Sequence, residues 1–119
     1  MALINLDDIA VTMTGDMEKA ARQIKIVLFT GVVTDTRVDL GRLRGNWQAS
    51  QGAMKTNEIE RLDKTGAQVL TEIKQVVSSD SIDYLTNNVP YAAHWEERDG
   101  MIAKNIARLE RVVKGVESK

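Results

Sequence analysis

The chain contains no cysteine, which excludes disulfides and thiolate-held metals and fits assembly in a reducing cytoplasm. It has one histidine, His94, so a multi-histidine metal site cannot form within a single copy, and no nucleophile lies beside it to make a triad. Glu96, Glu97 and Asp99 alone would offer only a weak, oxygen-rich cation site. The adjacent carboxylates Asp7–Asp8 and Glu96–Glu97 diverge on any regular helix or strand, so they do not flank one substrate bond. Neither a cofactor nor a metal is expected, and the chain does not read as an enzyme.

A long apolar run is also missing. The best stretch, Ile24 to Val33, is broken by Lys25, Thr30 and Gly31 and falls far short of the ~20 residues needed to span a bilayer. The N-terminal Met1–Asp8 stretch carries acid where a secretion signal carries basic charge, so a signal peptide is not expected. Sixteen basic against seventeen acidic residues leave a net charge of -1, which disfavours a dedicated phosphate-backbone binder, because counterion release needs clustered Lys and Arg. With 119 residues and 43% hydrophobic content, one modest core and one domain spanning 1–119 are expected.

Aromatics are scarce, and the five present, Phe29, Trp47, Tyr84, Tyr91 and Trp95, are unevenly placed. Four of them sit in or beside two segments rich in turn residues. The first is Val38-Asp39-Leu40-Gly41-Arg42-Leu43-Arg44-Gly45-Asn46-Trp47, and the second is Thr86-Asn87-Asn88-Val89-Pro90-Tyr91-Ala92-Ala93. Turn residues set against bulky aromatic or basic groups fix the backbone where large contacts are presented, as a binding surface requires.

Outside these segments the periodicity is readable. From Asp16 to Asp35, Met17, Ala20, Ala21, Ile24, Leu28 and Val32 recur at helical steps, with Thr14 as a candidate N-cap and Leu6 to Met13 as a preceding turn. Asn46 to Ser50 reads as a short strand. Gln51 to Thr65 is polar and without apolar period, which predicts an exposed, flexible loop able to order on a partner. Ala67, Leu70, Ile73, Val76 and Val77 fit a helix started by Thr65-Gly66, with a strand reading also open. Ile82 to Asn87 reads as a second strand, and Pro90, the only proline, pushes Val89 toward extended backbone. A last helix from Asp99 or Gly100 carries the stripe Ile102, Ile106, Leu109, Val113 and Val116 opposite Lys104, Arg108, Glu110, Arg111 and Lys114. Together these predict an α+β domain, with a long N-terminal helix and a C-terminal helix packed on a small antiparallel sheet.

Three roles are expected within the two segments. Asp39 should accept backbone N–H bonds from Gly41 or Arg42, Gly41 should supply a positive φ, and Pro90 should stiffen the second bend. Arg42 and Arg44, alternate residues of an extended stretch, should point the same way, as a clamp for a neighbour's carboxylates, toward a DNA channel, or as a solvated face. Trp47 is read as a core anchor or an interface residue, and Asn87, Asn88, Tyr91 and Trp95 as parts of a contact surface.

The order and separation of the two segments resemble the tail-completion or minor tail-component family of long-tailed double-stranded DNA bacteriophages, the small proteins of the head-to-tail joint. Members carry a helix ending in Thr-Pro-Val-Asp-Thr-Gly-Arg-Leu-Arg, an Asn- or Ser-Trp strand, then Thr-Asn-Asn-x-Pro-Tyr-Ala, an acidic residue and a closing helix. This chain departs at Arg37 and Leu40, which replace the family's proline and threonine, so its helix is expected to run further before turning. The loop that follows Trp95 is shortened to Glu97–Met101.

The resemblance implies a structural virion protein that completes the tail or joins it to the head connector and is assembled in the host cytoplasm. It also implies a ring, a homo-hexamer matching the tail's symmetry. Contacts with tail terminator, tail tube or connector proteins follow, near packaged DNA and without a membrane. A competing reading of the same residues is a small nucleic-acid-binding regulator using Arg37, Arg42, Arg44 and the basic face of the last helix.

Overall fold

The stripe of small and branched residues after Asp16 forms α1 (Met17–Thr34) in the computed structural model, which describes residues 17–117, with side chains from 20 to 111. The Thr14 cap and the Leu6–Met13 turn lie outside the described residues. The side of α1 turned to the core runs through Ile26, Phe29, Val32 and Val33. The helix does not run on past Thr34. Thr36, 1% exposed, donates its hydroxyl to the Val32 carbonyl at 2.7 Å and accepts Trp47 Nε1 at 2.8 Å. A side chain thereby takes a carbonyl at the helix end, and the indole locks that stop.

Next come a single turn, α2 (Arg42–Gly45), then β1 (Trp47–Gln51), α3 (Ala67–Val76), β2 (Asp83–Asn87), α4 (Ala92–Asp99) and α5 (Met101–Glu117). The fold is α+β. β1 and β2 form one antiparallel pair in the register Trp47↔Asn87 through Gln51↔Asp83, and they are the only strands among the described residues. Trp47, Ala49 and Leu85 turn to one face of the pair and join Val32, Val33, Val69, Ile73, Val77 and Met101 in an aliphatic core.

The opposite face is covered by the segment 51–58. Gln48 Nε2 donates to Asn57 O at 2.7 Å, Ser50 Oγ to Ala53 O at 2.7 Å, and Thr86 Oγ1 to Lys55 O at 3.2 Å. Most of 51–65 is exposed, as its polar sequence implies. The segment lacks regular structure but is stitched down along its length, because its own carbonyls satisfy the polar alternate residues of the strands.

α3 settles as a helix whose buried residues are Val69 and Ile73. Its start is held by Asp63, only 4% exposed, whose carboxylate accepts Val69 N at 3.0 Å. Its end is held by α1: Arg22 donates to Lys74 O at 2.7 Å and Val77 O at 3.1 Å. These carbonyls have no partner within their own helix, which is why a guanidinium finds them. One turn along α1, the Lys25 ammonium is gripped by Ser78 O, Ser81 O and Asp83 Oδ2 at 2.7–3.0 Å. Burial pushes the Asp83 carboxyl up. Hydrogen bonds from Ser81, Lys25 and the Ser78 amide outweigh that and hold it below the usual carboxylate range.

Two helical expectations are corrected. Glu97–Asp99 is not a loop but the last turn of α4, closed by Gly100 at φ 63. In α5 the Ile102–Ile106 stripe does not face the core: Ile102 and Ile106 are 37% and 44% exposed, whereas Met101 and Asn105 are buried. The reason is a close helix crossing at Gly31, where a Cβ would fall inside contact of Asn105 Oδ1. Asn105 Nδ2 donates to Met101 O at 2.7 Å and Asp35 Oδ2 at 2.9 Å, so a buried amide with its bonds satisfied sets the rotation of α5. The side chains of Val113 and Val116 lie outside the described residues. No described helix is long and apolar enough to cross a membrane.

Candidate functional site

The first bend is built by glycine rather than by an aspartate cap. Gly41 has φ 88, and a Cβ there would meet Lys64 N at 2.7 Å and Asp63 N at 2.9 Å. Its carbonyl accepts both Gly45 N at 2.8 Å and Asp63 N at 3.0 Å. Asp39 is exposed, and its carboxylate receives no hydrogen bond among the described residues, so the expected Asx turn does not form. Asn46, fully buried, completes the bend by donating to Arg42 O and accepting Ile59 N, both at 2.8 Å.

Because Arg42 and Arg44 lie on a helical turn, they diverge instead of pointing together: two residues on an α-turn are about 200° apart, whereas on a strand they align. Arg44 turns inward. It donates to Thr34 O at 3.0 Å, Thr36 O at 2.8 Å and Lys64 O at 2.6 Å, fastening the end of α1 to the start of α3. Arg42 turns outward, pairs with Glu58 and stands 5.5 Å from the centre of the Tyr91 ring. The interface role expected for Arg44 is thus corrected to an internal clasp. Trp47, 3% exposed, belongs to the core and has no surface to offer a neighbour.

The second bend docks on the first. Asn87 Nδ2 donates to Leu43 O at 2.8 Å and Asn88 Nδ2 to Lys55 O at 2.9 Å, so both amides face inward as braces. Val89 is buried, Pro90 is exposed, and Ala92 N closes the turn on Val89 O at 3.0 Å. The chain then enters α4, where Tyr91, Trp95 and Asp99 follow one another at four-residue spacing and share one face.

Each of these residues meets an arginine of the first bend or of α4. Arg37 lies over the Trp95 ring at 3.7 Å from its centre and makes a forked pair with Asp99, Nε–Oδ2 2.7 Å and Nη2–Oδ1 2.8 Å. Arg98 approaches the same indole at 5.8 Å, and His94 meets it edge-on at 4.7 Å. Charge-assisted forks and cation–π stacking hold the guanidinium plane in place. The Arg37 bond holds the Asp99 carboxyl below its usual range, and Asp99 in turn raises Arg37; the Glu58 bond raises Arg42.

Between these groups lies an open cleft of about 490 Å³, lined by Arg37, Val38, Leu40, Arg42, Tyr91 and Trp95. Its lip is apolar and exposed, with Leu40 at 63% and Val38 at 41%. Among the described residues no three His, Asp or Glu side chains stand together as metal ligands.

The pairing of Glu58 and Asp99 with arginines is not expected from the sequence, where Glu58 lies in a polar loop and Asp99 at the start of the last helix. Compared with protein-family models, curated proteins and solved structures, the chain finds no match. The site therefore rests on its own geometry and on the motif resemblance.

Proposed function

We propose that this chain is a non-enzymatic structural protein of the phage head-to-tail joint, acting by protein–protein assembly to complete the tail or couple it to the head connector. One observation carries the reading: the two motif segments, far apart in sequence, abut as one surface on which Arg37 and Arg42 stand beside Trp95 and Tyr91. Rings and guanidiniums held by rigid bends lose little conformational entropy on docking, and such residues dominate protein interfaces. Under this reading the chain belongs to the virion as a ring of copies, six by resemblance, against tail terminator, tail tube or connector proteins.

The nucleic-acid alternative is weakened by the pairing of Arg37, Arg42 and Arg44. Arg37 and Arg42 are matched by Asp99 and Glu58, and Arg44 is spent on carbonyls, which leaves little unpaired charge in the cleft for phosphates.

The test is electron microscopy of particles assembled without the protein. Separated full heads and tails, or tails of irregular length, are expected, and normal infectious virions would refute the proposal. Particles carrying Tyr91→Ala with Trp95→Ala should show the same defect while the purified variant melts as a folded domain.

A further inference from the structure

The two edges of the β-pair are treated differently. Gly52 N bonds to Ile82 O at 2.9 Å; in the observed register this makes Ser50–Tyr84 and Gln48–Thr86 the hydrogen-bonded pairs. Trp47 and Ala49 therefore turn their backbone groups away from β2, and side chains meet them: Arg61 Nη2 donates to Trp47 O at 2.8 Å, and Glu72 Oε2 accepts from Ala49 N at 3.4 Å. The Arg61–Glu72 pair, at 3.1 Å, bridges these two closures. The outer edge of β1 is thus sealed.

By the same register, Asp83, Leu85 and Asn87 turn their N–H and C=O groups away from β1. Among the described residues no backbone or side-chain group bonds to them. Natural edges are blunted by lysine, proline or a bulge. β2, Asp-Tyr-Leu-Thr-Asn, has no lysine or proline and no bulge in its register, and its one charge, Asp83, is neutralised by Lys25 at 3.0 Å. Ile82, 70% exposed, stands at its entry. An edge left unpaired among the described residues is one that another strand can complete.

The strand is also its own complement. Laid antiparallel against a second β2 with Leu85 on the two-fold axis, Asp83 falls opposite Asn87, Leu85 opposite Leu85 and Tyr84 opposite Thr86. No like charges oppose, and the Tyr–Thr pairs are aromatic against β-branched, a favourable cross-strand match. The outward backbone groups then form three closely spaced pairs, about six hydrogen bonds. We propose that two copies of this chain associate through β2, making a continuous four-stranded antiparallel sheet β1-β2-β2-β1 with an isologous interface. Such a contact has two-fold symmetry, so it belongs to the free chain before its entry into any polar ring, and it stands whether or not the particle reading does.

The experiment uses the purified full chain. Sedimentation equilibrium from about 1 μM to about 1 mM should show monomer passing to dimer. Over the same range, amide hydrogen exchange at Asp83, Leu85 and Asn87 should slow, whereas Tyr84 and Thr86, already bonded to β1, should be protected throughout.

Two matched variants isolate the interface. Tyr84→Lys with Thr86→Lys sets lysine against lysine at both cross-strand positions and should raise the dimer dissociation constant roughly tenfold. Tyr84→Lys with Thr86→Glu, which loses the same internal contacts, should restore it. A chain that stays monomeric to the highest concentration overturns the proposal. So does a dimer whose Leu85 amide still exchanges freely, or equal dimerisation by the two variants.

Discussion

Gly41 and Gly52 allow a paired test of how the first bend is built. Both have positive φ, 88 and 78, but a Cβ at Gly52 would meet nothing within 4 Å, whereas at Gly41 it would meet Lys64 N at 2.7 Å. Alanine at either site costs about 1–2 kcal/mol for left-handed backbone. Only Gly41→Ala must also push the 63–64 backbone away. That strains or breaks the Asp63 N–Gly41 O bond of 3.0 Å, about 1 kcal/mol, and adds overpacking of about 1–2 kcal/mol.

The expected gap between the variants is therefore about 2–3 kcal/mol. For a domain of this length that is roughly 10 °C in melting temperature beyond the Gly52→Ala shift. Thermal melts followed by circular dichroism would read it directly. Equal shifts for the two variants would refute the claim that the bend is shaped by close packing against 63–64, and with it the account of how Arg42 is aimed at Tyr91.

Other outcomes follow from the packing and the ionisation. Gly31→Ala should destabilise by about 2–3 kcal/mol, because the new methyl displaces Asn105; adding Asn105→Ala should recover part of that loss in urea midpoints, and simple additivity would contradict the crossing. The Asp83 carboxyl is held low in the folded state, so its contribution is fully present above the unfolded value of about 3.9 and is lost as pH falls through the lower folded value. Asp83→Asn should flatten the acid limb of stability below about pH 4, measured as urea midpoint against pH; an unchanged limb would show that other carboxylates govern it.

Much of the element order was legible because it is local. The apolar step of α1, the Thr65-Gly66 start of α3, and the Ile82–Asn87 run each express a period or a turn preference within a few residues. α4 was not legible: Ala92–Asp99 has no apolar repeat, and what holds its Tyr91–Trp95–Asp99 face in place is Arg37 and Arg42 of the distant first bend. The facing of α5 does not follow from its hydrophobic stripe, because helix packing overrides the stripe. Gly31 and a fully bonded Asn105 put the other stripe against α1 and left Ile102 and Ile106 outside.

The candidate site divides along the same line. Glycine, asparagine and proline at their positions marked both bends, since the backbone conformations they favour are properties of single residues. That Arg42 reaches outward while Arg44 clasps carbonyls depended on one helical turn, which exists because segment 61–64 packs onto Gly41 and Gly45. The pairing of Arg37 with Trp95 and Asp99 joins groups distant along the chain. No local preference encodes such a meeting, and the packing of α4 against the first bend decided it.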